Sequence, residues 1–121
     1  MATVRYIVHD VDQAVAFYRE KLGFRLQQQF GPNMAILERD GLTLWVAGPN
    51  ASASRPMPDG RKPEPGGWNR LVLYTPDLQG EVDRLRKAGV HFRNGIVAGP
   101  GGKEILLDDP SGNPVELFQP N

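Results

Sequence analysis

Thr3-Val4-Arg5-Tyr6-Ile7-Val8-His9-Asp10-Val11-Asp12-Gln13-Ala14-Val15-Ala16-Phe17-Tyr18 changes its hydrophobic period at Asp10. Before that residue, Val4, Tyr6 and Val8 alternate with Thr3, Arg5 and Ile7, which predicts a strand over 3–9. After it, Val11, Ala14, Val15, Tyr18 and Leu22 recur at helical spacing, so a helix over 12–22 follows. Asp10 offers the N-cap, Gln13 stands where a capping box needs it, and Gly23 suits the stop.

The same switch returns 67 residues later, at Asp77. Residues 70–75 alternate, with Leu71, Leu73 and Thr75 on one face and Arg70, Val72 and Tyr74 on the other. Asp77 then caps a second helix, whose apolar side is Leu78, Val82, Leu85 and Ala88 and whose stop is Gly89. Three short strands follow each helix: 24–30, 34–39 and 42–47 in the first case, 91–97, 103–108 and 115–118 in the second. Gly31-Pro32-Asn33, Asp40-Gly41 and the run from Pro110 to Pro114 supply the turns. Gly99-Pro100-Gly101-Gly102 resembles a phosphate loop superficially, but strands flank it and no Lys-Ser/Thr follows, so it reads as a hairpin loop.

The element order is therefore β-α-β-β-β twice, an internal duplication. Helices set on mostly antiparallel sheets give an α+β class. One domain over 1–121 is expected, made of a module over 3–48 and a second over 68–119. The faces Val4/Tyr6/Val8 and Leu71/Leu73/Thr75 should meet the helices, which frees Thr3/Arg5/Ile7 and Arg70/Val72/Tyr74 to line a cavity between curved sheets. Between the modules, 49–67 carries five prolines and three glycines and has no period. It reads as a linker or long loop, able to join modules, exchange them between chains or form a lid.

Composition narrows the function. Lys plus Arg is 14 and Asp plus Glu is 14, so nothing favours nucleic acid or an anionic membrane as partner. The absence of Cys excludes disulfides, thiol catalysis and zinc–thiolate sites. No apolar run approaches the roughly 18 residues of a membrane span. No secretory signal is visible, and a cytoplasmic protein is the expectation.

The segment from Asp10 to Tyr18 leading into Leu22-Gly23-Phe24, the Ala88-Gly89-Val90 close and the ending Asp109-Pro110-Ser111-Gly112-Asn113-Pro114-Val115-Glu116-Leu117 together resemble the vicinal oxygen chelate superfamily. Glyoxalase I, bleomycin-resistance proteins, fosfomycin-resistance enzymes and extradiol dioxygenases belong to it. The resemblance covers nearly the whole chain, and it speaks for fold with more authority than for activity. It implies two βαβββ modules in pseudo-twofold arrangement around a U-shaped pocket, commonly built or closed in a homodimer. It also implies metal ligands on the first and last strands of the modules. Those positions map to Thr3, Arg70, Trp45 and Glu116. Thr is a poor ligand, Trp cannot ligate, and Arg has no lone pair to offer. No metal and no cofactor are therefore expected.

Arg70 and Glu116 are the leading candidates, Arg70 replacing the metal as the pocket's cation and gripping Glu116. An anionic or carbonyl-bearing ligand could then share Arg70; the alternative is an ion pair that only spaces the sheet. A carboxylate so held should have a lowered pKa and be a weak base. Trp45 and Trp68 offer flat walls for a planar ligand, against core packing for Trp45 and anchoring of the linker for Trp68. Arg5 and Tyr74 share the faces of Thr3 and Arg70, and Phe118 shares that of Glu116 with simple packing as its reading. His9 and His91 read as edge residues, with no H-x-x-x-H pattern and no nucleophile–base pair. The functional expectation is a metal-independent protein that binds, and sequesters, a small organic molecule. The alternatives are a glyoxalase-like lyase or isomerase with a non-standard metal site and an interaction module with a filled cavity.

Overall fold

The structure, a computed structural model, describes residues 2–121. The chain packs as two compact units that divide between Gly66 and Gly67. The first holds β1 (Thr3–Ile7), α1 (Val11–Leu22), β2 (Arg25–Phe30), β3 (Met34–Arg39) and β4 (Leu42–Ala47). Its sheet runs β1-β4-β3-β2, with β1 parallel to β4 and the other pairs antiparallel.

Local chemistry sets these boundaries. Asp10 is extended and its Oδ1 accepts the Gln13 N–H at 2.8 Å, satisfying an orphan donor of the first turn. Gly23 ends α1 in the left-handed region at φ 69°, and its N–H donates to the Tyr18 carbonyl. Val11, Ala14, Val15, Tyr18 and Leu22 make the buried stripe of α1. They cover a sheet face on which Ala35, Leu37, Leu44 and Val46 are fully buried. Tyr18 is at 0% exposure and meets Phe17 and Phe24 edge-on at 5.3 and 5.4 Å. Each such large side chain contributes about 1.5–3 kcal/mol by leaving water.

The Pro-rich stretch after β4 belongs to this unit. It is irregular apart from a single 3-10 turn at Ser52–Ser54. Gly48 anchors its start, donating to the Asn33 carbonyl and accepting from Ser54 Oγ at 2.7 Å. A Cβ on Gly48 would lie 2.8 Å from the Pro32 carbonyl oxygen and 2.9 Å from Val11 Cγ2, so only glycine fits.

The second unit repeats the plan with β5 (Leu71–Tyr74), α2 (Leu78–Lys87), β6 (Val97–Gly99), β7 (Gly102–Asp108) and β8 (Pro114–Pro120). Its sheet runs β5-β8-β7-β6, again with the first pair parallel. Asp77 Oδ1 caps α2 through the Gly80 N–H at 3.1 Å. Leu78, Val82 and Leu85 form the buried side. Ala88, expected among them, is exposed, because it is the C-cap and the helix has already ended. Leu71, Leu73 and Thr75 are buried while Val72 and Tyr74 are exposed, as the alternation predicts.

One strand is misplaced by the sequence. Residues 91–97 make no continuous strand; only Phe92 bridges to Leu107, and β6 begins at Val97. Two backbone bonds still tie the stretch to β7, Arg93 N–H to the Leu106 carbonyl and Asp108 N–H to the His91 carbonyl, both at 2.9 Å, and side chains add to them. Asn94 Oδ1 accepts the Leu106 N–H at 2.9 Å, and the side chains of His91 and Arg93 both turn to Asp108. The hairpin loop between β6 and β7 lies where expected, closed by the Gly99–Gly102 pair. Among the described residues no helix is long and apolar enough to cross a membrane.

Candidate functional site

Each unit leaves one sheet face uncovered by its helix, and the seven candidate residues divide between the two units. Thr3, Arg5 and Trp45 belong to the first unit, and Trp68, Arg70, Tyr74 and Glu116 to the second. The two ladders match position for position: Arg5 lies opposite Trp45 between β1 and β4, and Val72 lies opposite Glu116 between β5 and β8.

In the second unit, Val72, Glu116 and Leu106 form one row across three strands, and Tyr74, Phe118 and Glu104 form the next. Glu116 is only 7% exposed. Arg70, one residue before β5, brings Nε and Nη2 each to 3.0 Å of the same oxygen, Glu116 Oε1. Its Nη1 donates to the Trp68 carbonyl at 3.3 Å. The expected grip of Arg70 on Glu116 is thus present.

The expected electrostatic consequence is not. Glu116 is pushed above the ordinary glutamate range, first by burial and next by a hydrogen bond with the Glu104 carboxyl, with Arg70 opposing both. A second carboxyl beside it makes Glu116 harder to ionise, which adds to the effect of burial. Sequence parity could place Glu104 on the open face, but its contact with Glu116 depends on the β7–β8 register.

Trp68 is 70% exposed and lies under the Arg93 guanidinium, whose carbon is 4.7 Å from the ring centre. Arg93 went unremarked in the sequence and ties this region together. It donates to Asp108 Oδ1 at 2.7 Å, the Gly67 carbonyl at 2.8 Å and the Gly112 carbonyl at 3.0 Å. Through Arg93, Trp68 is linked to the Gly67 carbonyl at the start of the second unit. Tyr74 packs edge-on against Phe118 at 5.6 Å. His91 Nδ1 joins Asp108 Oδ2 at 2.8 Å, an exposed edge contact.

In the first unit, Thr3 pairs with Thr43, and the Arg5 guanidinium carbon lies 4.9 Å over the Trp45 ring. Glu38 shares this face through its pairing with Thr43 and is bound by Arg25. The Arg25 hydrogen bond holds the Glu38 carboxyl below the usual range. Beside Arg5 opens a cavity of about 300 Å³, lined by Phe30, Asn33, Met34, Ala47 and Asn50. His9 lies at a smaller cavity of about 200 Å³ with Lys62, Pro63 and Pro65.

The donor chemistry does not fit a divalent metal. Of Thr3, Trp45, Arg70 and Glu116, only the last is a good ligand, and its Oε1 is occupied by a guanidinium. Among the described residues no three His, Asp or Glu side chains gather to hold an ion.

Comparison with known proteins follows the fold. A family model described as Glyoxalase/Bleomycin resistance protein/Dioxygenase superfamily matches residues 1–117. A structure from Sphaerobacter thermophilus DSM 20745, a member of that superfamily, is 27% identical. It aligns over 98% of this chain and 95% of its own, at a TM-score of 0.77. TnmS3, an antibiotic binding protein from Streptomyces sp. CB03234, is also 27% identical, over 98% of this chain and 93% of its own, at a TM-score of 0.73. A 57-residue stretch, 47% of this chain, is 40% identical to a Bacillus licheniformis protein named glycine oxidase, of which it spans 14%.

Proposed function

We propose, from the premise that this chain belongs to the glyoxalase/bleomycin resistance protein/dioxygenase superfamily, that it binds a small organic molecule without a metal ion and sequesters it. The observation that carries the reading is the fate of Glu116. The one good ligand among the four expected positions is engaged by Arg70 and by Glu104. Binding surface remains: Trp45 under Arg5, the cavity beside them, and exposed Val72 and Tyr74. TnmS3, an antibiotic binding protein at 27% identity, supports a binding role. The proposal places the protein in the cytoplasm as a homodimer, without nucleic-acid or membrane partners.

A glyoxalase-like lyase or isomerase with a shifted metal site is the second reading. The Glu104–Glu116 pair favours it, because burial and Glu104 leave Glu116 with a higher proton affinity, and so a better base, than the Arg70 ion pair alone would. Thermal denaturation with a panel of planar organic molecules, in excess chelator, separates the two. Ligands that raise Tm in chelator support metal-free binding. Stabilisation that requires added divalent metal and vanishes in Glu116→Ala supports the enzyme and removes the first reading.

A further inference from the structure

We propose that the open face of the first unit recognises an acidic group on its ligand, a carboxylate or an ionised phenol or enol, and that Arg5 is the residue that reads it. This rests on the small-molecule-binding reading and gives the ligand a chemical class.

Arg5 is held by its neighbour across the ladder. Trp45 lies directly opposite, and the guanidinium sits 4.9 Å above its ring. Stacking engages the flat face of a guanidinium and leaves its in-plane N–H donors available at the edge. Among the described residues no carboxylate pairs with Arg5, whereas Arg25, Arg39, Arg61, Arg70, Arg84 and Arg93 each have one. Glu38, the carboxylate on this face, is bound by Arg25.

Arg5 borders the cavity of about 300 Å³. Phe30 and Met34 give that cavity apolar walls, and Asn33 and Asn50 bring amide groups to it. A flat ring system fits such walls, with its acidic end on the guanidinium as a charge-assisted, two-pronged pair. Arg70, the residue that sequence alone favours for this task, has Nε and Nη2 on Glu116 and Nη1 on the Trp68 carbonyl. All three of its nitrogens are thus engaged, and a second acid would have to share Arg70 with Glu116.

Isothermal titration at neutral pH with 2-naphthoate and its uncharged analogue 2-naphthamide tests this. The acid should bind about tenfold tighter than the amide, the equivalent of one charge-assisted hydrogen bond. Arg5→Gln should bring the two within about twofold, Arg5→Lys, which keeps the charge but not the stacked fork, should keep only part of the preference, and Arg70→Gln should leave it unchanged. Equal binding of acid and amide, a preference that survives Arg5→Gln, or no binding of either overturns the inference. Binding of the amide as tight as the acid would still uphold small-molecule binding, so the two readings fail separately.

Discussion

Glu116 takes its character from burial and two neighbours acting together. Burial and the Glu104 carboxyl raise its proton affinity, and Arg70 lowers it by less. Glu104→Gln should therefore drop the Glu116 pKa, and Arg70→Gln should lift it further, both measured by carboxyl carbon NMR titration. An increase in Glu104→Gln would contradict the pairing. The same shift has a signed effect on stability. The folded state holds this proton more tightly than the unfolded chain, so the stabilisation is full below the unfolded value near 4.5. It is lost as pH rises through the higher folded value. Glu116→Gln imitates the protonated form. Urea midpoints of the unsubstituted protein should match that variant at low pH and fall behind it as pH rises; a gain with pH would reverse the sign. The resemblance to the superfamily, mapped through the 67-residue offset, placed Glu116 and Arg70 together. It missed the second carboxyl because an arginine's effect can be argued from one pair, whereas Glu104 enters only through a cross-strand register.

At the scale of elements, the ending that resembles its relatives is turn chemistry before it is anything else. Asp109 is buried, and its Oδ1 accepts the N–H groups of Ser111 and Asn113 at 2.8 and 2.9 Å. Its Oδ2 accepts Asn113 Nδ2 at 3.0 Å, and Gly112 supplies the left-handed residue at φ 82°. This turn sets the β7–β8 register and hence the row that carries Glu116. Asp109→Ala leaves these donors without their acceptor and should cost about 2–4 kcal/mol by chemical denaturation. Caps, hairpin turns and alternating strands were legible because each is decided by residues within one turn or one strand. The 91–97 stretch was not, because two backbone bonds, the Asn94 side chain on Leu106 and the His91 and Arg93 side chains on the Asp108 carboxylate hold it to β7 without a continuous ladder. Arg93 itself gave no local signal, since its partners Gly67, Asp108 and Gly112 are remote in sequence. Arg93→Lys keeps the charge but loses the three-way geometry, and about 1–3 kcal/mol of stability should go with it.

At the scale of the whole molecule, duplication produced two sheets with the same strand order and matching open-face positions. The repeated positions no longer carry repeated chemistry. Trp45 and Glu116 are counterparts, and one stacks an arginine while the other is gripped by one. On the proposed reading, the superfamily's fold is kept with side chains suited to organic surface and charge rather than to an ion. Native mass spectrometry of protein purified without chelator measures this most directly. The account predicts two chains per particle, retained or added organic ligand, and no divalent metal. One metal ion per chain, lost in Glu116→Ala, would contradict it.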